Sequence, residues 1–140
     1  MDNRTEKRIV GDRGEDIACE FLVKQGFLIK DRNYLRKYGE IDIVSVKDRT
    51  YHFIEVKTVS CLSIEALAKV DETVSRRTFD GYRPEDNVHP WKLKRLSRVI
   101  QAYILDKRLW DIDWIFDIVT VYIDKKTGES AIRLIEDIVL

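Results

Sequence analysis

The chain has 140 residues, and its 25 lysines and arginines are balanced by 25 aspartates and glutamates, so the formal net charge is zero. This length, with 44% hydrophobic residues, suits one domain with an ordinary core. The charge balance excludes a globally basic nucleic-acid binder, so any such binding must come from local clusters.

The opening MDNRTEKRIVGDRGED carries no apolar leader, and no apolar run later reaches membrane-spanning length, so no membrane segment is expected. Cys19 and Cys61 match neither zinc nor disulfide spacing, which fits a reducing cytoplasm, and Cys19 is expected as a buried thiol. Residues 12–25, DRGEDIACEFLVKQ, predict a helix with Ile17, Ala18, Phe21 and Leu22 as its apolar stripe. Asp12 is its expected N-cap and Gly26 its stop. A first strand is expected from Phe27 to Asn33.

Residues 39–58, GEIDIVSVKDRTYHFIEVKT, predict a hairpin. Its flanks are β-branched and aromatic, and Lys47 to Thr50 supply a short polar connection. If Val46 pairs with Tyr51, Val44 faces Phe53 and Asp42 faces Glu55. Side-chain alternation then gathers Asp42, Val44, Phe53, Glu55 and Lys57 on one face, with Ile41, Ile43, Ile54 and Val56 on the other. Like charges directly opposite destabilise a sheet, so something must neutralise Asp42 and Glu55. A hard divalent cation held by carboxylate oxygens would do so. The alternative is a salt bridge to Lys57 at a solvated strand end. Glu40 shares the face of Asp42 in a regular strand, as an accessory to the site or as a solvated strand end.

Residues 59–88 are expected as an insertion or flexible segment within a single domain spanning 1–140. Inside it, SIEALAKVDETVSRR predicts an amphipathic helix over 63–77, a candidate surface for a protein partner. His52 and His89 stand alone, without ligand spacing. Residues 91–108, WKLKRLSRVIQAYILDKR, give the clearest helix, with Leu93, Leu96, Ile100, Tyr103 and Ile104 as its core stripe. Its Lys92, Lys94, Arg95 and Arg98 are opposed in that helix only by Asp106. They are either a solvated face or phosphate contacts that position DNA without reading its sequence. Arg32, Arg36 and Lys37 adjoin the hairpin and would extend that patch, and Tyr34 and Tyr38 either pack locally or stack on bases. Residues 114–123, WIFDIVTVYI, predict a strand buried on both faces, and residues 130–138 a last strand. The order αβββαββ, with the extra helix at 63–77, predicts an α/β fold with a central mixed sheet flanked by helices.

A helix with a glutamate, a hairpin carrying D…ExK, a basic helix and a buried strand together resemble the restriction-endonuclease-like fold, which includes Holliday-junction resolvases. Five blocks resemble the YraN-like family of bacterial proteins more closely: GDRGEDIA (11–18), RNYLRKYGEIDIV (32–44), FIEVKT (53–58), PWKLKRL (90–96) and FDIVTV (116–121). Residues 59–88 are longer than that family's usual connection, Leu93 replaces a frequent glutamine, and Ile115 a frequent arginine.

The resemblance implies a restriction-endonuclease-like core and a Mg²⁺- or Mn²⁺-dependent nuclease acting on DNA, with branched or flapped structures as candidate substrates. It implies that Asp42, Glu55 and the backbone carbonyl of Val56 hold the metal, with Lys57 orienting water or stabilising charge. It also brings in Glu15 from the first helix. From the sequence alone Glu15 fits a capping box with Asp12, yet it shares a helical stripe with Ala18, Cys19 and Leu22 that borders the sheet. The rival readings are a non-catalytic nucleic-acid-binding module and a protein-interaction domain on the same fold.

Overall fold

The computed structural model describes residues 4–61, 63 and 90–140. Apart from Ser63, the helix expected over 63–77 lies outside the described residues, as does most of the 59–88 segment. The described elements run α1 (Glu6–Lys24), β1 (Leu28–Arg36), β2 (Gly39–Lys47), β3 (Thr50–Cys61), α2 (Pro90–Asp106), β4 (Asp113–Asp124) and β5 (Ser130–Ile135). This is the αβββαββ order that the sequence predicts. The five strands form one sheet in the order β1-β2-β3-β4-β5. Only β3 and β4 pair in parallel, so the sheet is mixed. That parallel pair needs a crossover connection, and α2 lies within it.

The first helix starts earlier than its periodicity indicates. Thr5, not Asp12, is the N-cap, and its hydroxyl accepts from the backbone N–H of Arg8. Asp12 instead lies inside the helix, paired with Arg4 at 2.8 Å and with Arg8 one turn back. The capping-box alternative for Glu15 therefore falls away. Gly26 does end the helix, at φ +94. The N–H of Phe27 donates to the Leu22 carbonyl and that of Gly26 to the Val23 carbonyl, the Schellman pattern, with Phe27 and Leu22 packed together in the core.

The two helices cover opposite faces of the sheet. On one, Ala18 and Leu22 of α1 pack with Phe27, Ile43, Ile54 and Val119. On the other, Val99, Ile100 and Tyr103 of α2 pack with Tyr34, Val44 and Phe53. Cys19 is half-buried at the edge of the first cluster, and both cysteines are free thiols. From Phe116 to Asp124 every residue of β4 is buried, Asp117, Thr120 and Asp124 included, as expected for a strand covered on both faces.

α1 can lie this close to β3 because residue 14 is glycine. A Cβ there would fall 1.9 Å from the hydroxyl oxygen of Thr58. The next residue along, Glu15, is thereby held over the open end of the hairpin.

The hairpin keeps the predicted register, with Val46 paired to Tyr51 and Val44 to Phe53. Its loop is only two residues long. Asp48 and Arg49, at φ 51 and 68, both adopt the left-handed conformation that a type I′ turn requires. His52, isolated in the sequence, meets a buried partner: its Nδ1 lies 2.6 Å from Asp117 Oδ2. The other oxygen of Asp117 accepts from the N–H of Asp137, whose φ of 56 turns the chain away just beyond β5. The last strand therefore stops at Ile135, short of the expected residue 138.

Candidate functional site

The hydrogen-bonded ladder between β2 and β3 ends at the pair Ile43–Ile54. Beyond it β2 continues beside β1, and β3 beside β4. The two strands part, and Asp42 stands at the fork. Its Oδ2 accepts the N–H of Val56 at 2.8 Å, taking the place of a backbone acceptor on the departing strand. Within a strand the N–H and C=O of one residue point to the same side, so the Val56 carbonyl faces this fork too.

The sheet also switches faces here. Ile43 packs on the α1 side and Ile41 on the α2 side, although residues two apart share a face in a regular strand. The neighbouring strand does the same: Arg32 reaches Asp16 of α1 at 2.8 Å, while Tyr34 packs with α2. Between them Asn33 takes φ 52, opposite Asp42. Asparagine is among the few residues that enter this region readily. Ile41 therefore joins Val44 rather than Ile43, a difference from the alternation that the sequence predicts. Strict periodicity does not survive a left-handed residue in the adjacent strand.

The switch brings three carboxylates together. Glu15 from α1, Glu40 and Asp42 from β2 each present an oxygen, all within 4.8 Å of one another. With its amide nitrogen turned to them, Asn33 donates to Glu40 Oε1 at 2.6 Å and to Glu15 Oε1 at 3.0 Å. The group lines an open cleft of about 800 Å³, with Val56, Lys57 and Thr58 on its β3 wall. Burial pushes the Asp42 carboxyl up to about 7, and the charges of Glu55, Glu15 and Glu40 add to this against the Val56 N–H. Glu15 is also raised, first by burial and then by Glu40, with Arg32 opposing.

Glu55 lies outside this trio. Its Oε1 is held by Lys57 at 3.0 Å and by Lys92 of α2 at 2.7 Å, so the salt-bridge alternative for Glu55 is present. Its other oxygen, Oε2, is buried with no hydrogen-bond partner among the described residues. Asp42 and Glu55 both border a small cavity of about 10 Å³ beneath α2. Burial and the adjacent Lys92 ammonium lower the Lys57 pKa against the attraction of Glu55. Lys92 is also pulled down by burial, but its hydrogen bond to Glu55 leaves it raised.

Of the four basic residues singled out on α2, Lys92 is therefore committed to Glu55, and Lys94, Arg95 and Arg98 are exposed. Tyr34 is buried, with its hydroxyl donating to Asp106 at 3.1 Å, and so packs locally. Two residues that shape the site carry little signal in the sequence. Gly14 gave no signal beyond its place in GDRGEDIA. Asn33, a turn-former inside an otherwise regular strand, was the available sign of an irregularity.

Fold and site define an α/β protein with a five-stranded mixed sheet and an acidic cleft where two of its strands part. The chain belongs to the Uncharacterised protein family UPF0102, whose profile matches residues 14–121. Among its relatives, a UPF0102 protein of Sulfurovum sp. (strain NBC37-1) is 39% identical over 103 residues, covering 73% of this chain and 74% of that one. One of Caldicellulosiruptor saccharolyticus is 31% identical over 131 residues, covering 94% and 97%. One of Helicobacter hepaticus is 34% identical over 99 residues, covering 71% and 72%. A solved structure, Pyrococcus furiosus SfsA in complex with Ca²⁺, aligns at a TM-score of 0.38 with 16% identity, over 93% of this chain and 63% of that one. Among the described residues, no helix is long and apolar enough to cross a membrane.

Proposed function

We propose that this protein is a metal-dependent nuclease that hydrolyses DNA phosphodiester bonds, with branched or flapped DNA as its substrate class. The observation that carries this reading is the convergence of Glu15, Glu40 and Asp42 beside Lys57 in one open cleft. Carboxylates packed this closely repel one another, and a cation removes that cost.

The donor set fits a hard divalent ion. Every side-chain ligand is a carboxylate oxygen, Glu55 Oε2 is buried without a partner among the described residues, and the Val56 carbonyl faces the same fork. Asp42, Glu55 and the Val56 carbonyl would hold Mg²⁺ or Mn²⁺, with Glu15 and Glu40 completing the acidic wall. The ion supplies Lewis-acid stabilisation of the negative charge that builds on the phosphate. Lys57 offers an ammonium to a non-bridging phosphate oxygen as charge develops there. Glu15, on the opposite wall, orients the attacking water. Lys94, Arg95 and Arg98 hold the DNA backbone without reading bases.

The test is cleavage of linear, single-stranded, flapped and four-way-junction DNA in Mn²⁺ by the wild type, with Asp42→Asn and Lys57→Ala purified in parallel. The reading expects cleavage by the wild type alone, with both variants still binding DNA. Equal cleavage by all three, or none by any, overturns it. A second reading, a non-catalytic nucleic-acid-binding module, draws on the double pairing of Glu55 with Lys57 and Lys92. It predicts binding that is indifferent to metal and sensitive to Lys94→Ala and Arg95→Ala.

A further inference from the structure

One stripe of α2 combines charge with aromatic surface. Trp91, Arg95 and Arg98 stand at i, i+4 and i+7, so they share a face of the helix and span about 10 Å along its axis. Trp91 is 56% exposed, and Tyr38, in the turn between β1 and β2, is 46% exposed. The Arg95 guanidinium lies 4.7 Å from the centre of the Trp91 ring, and that of Arg98 lies 5.6 Å from the centre of Tyr38. Two accessible aromatic rings thus bracket two guanidinium groups in one row.

The stripe is joined to the cleft. Lys92, next to Trp91, reaches Glu55, and Glu55 holds Lys57 on the cleft wall. Guanidinium groups between aromatic rings match a chain that alternates phosphates with flat bases. A duplex offers the phosphates but keeps its bases stacked on each other. An unpaired strand offers both. An apolar protein partner would leave Lys94, Arg95 and Arg98 without counter-charge.

We propose that the row Trp91–Arg95–Arg98–Tyr38 is a stacking platform for a single-stranded DNA segment. Where the segment leaves the platform, its next phosphodiester enters the cleft; this last step rests on the nuclease reading, whereas the platform does not.

The test is fluorescence anisotropy of a short mixed-sequence oligonucleotide, as a single strand and as a duplex, in EDTA at fixed salt. The wild type binds the single strand more tightly than the duplex. Trp91→Ala and Tyr38→Ala each lose about 5- to 100-fold in single-strand affinity with little change for the duplex, and Trp91→Phe retains most of it. Arg95→Ala flattens the dependence of binding on salt by about one phosphate contact. Equal affinity of the wild type for both forms overturns the platform, as does unchanged single-strand binding by the alanine variants with native circular dichroism. The binding assay is run without metal and reads no cleavage, so failure of the cleavage panel and failure of the platform are separately visible.

Discussion

Replacing Asp42 with asparagine should stabilise the metal-free protein at neutral pH. Burial and three neighbouring carboxylates raise this group from its ordinary 3.8 to about 7. The folded state therefore holds the Asp42 proton more tightly than the unfolded chain does. Its contribution is fully present below pH 3.8 and is lost as pH rises through 7. At about 1.4 kcal/mol per pKa unit, ionising Asp42 costs the folded protein up to about 4 kcal/mol at pH 8. Asparagine keeps an oxygen to accept the Val56 N–H but gives up the charge-assisted part of that bond. The net expectation is a gain of about 1–3 kcal/mol at pH 8, shrinking towards zero at pH 5. Urea melts of both proteins in EDTA across that range measure it. With Mn²⁺ the order reverses, because only the wild type gains stability by binding the ion at full strength. If Asp42→Asn is less stable than wild type at pH 8 in EDTA, or if both lose stability with pH at the same slope, the crowding of carboxylates is not the dominant force at the fork.

Gly14→Ala should cost about 1–3 kcal/mol in urea, since its Cβ meets the Thr58 side chain and α1 must lift from β3, and Thr58→Gly in the same chain should recover most of the loss. Metal-dependent stabilisation should weaken in Gly14→Ala as Glu15 moves with its helix, which a thermal shift with Mn²⁺ would detect. Arg49→Gly should stabilise by about 1 kcal/mol, because glycine enters the left-handed region at φ 68 without a Cβ penalty; unchanged urea melts would contradict the turn geometry. His52→Leu should destabilise by about 3 kcal/mol, leaving the fully buried Asp117 without its imidazole partner, and Asp117→Asn added to it should restore part of the stability. Equal loss in the single and double variants would mean that packing, not the pair, is what His52 supplies.

The elements were legible from local pattern. The stripe at Ala18 and Leu22, the alternation through β2 and β3, and the apolar run of β4 each follow from a period set by backbone geometry, which holds wherever the segment ends up. The hairpin register was legible for the same reason, since a short turn leaves the flanking strands little choice of partner. The start of α1 was not, because Thr5 and the Arg4–Asp12 and Arg8–Asp12 pairs lie upstream of the apolar stripe that marks the helix.

What the sequence determined by itself is the inventory: a glutamate on the first helix, two acids and a lysine on a hairpin, and a basic helix that opens on a tryptophan. Only the tertiary structure decided how these are grouped. Asp42 joins Glu15 and Glu40 in one cleft while Glu55 beside it is turned to Lys57 and Lys92, because β2 and β3 part after Ile43–Ile54 and a left-handed Asn33 turns the adjoining strand over at the same level. Glu55 is held from α2 by Lys92, a residue on the far side of a long connection in the chain. Strand separation and helix docking depend on contacts between distant segments, and no local period encodes them.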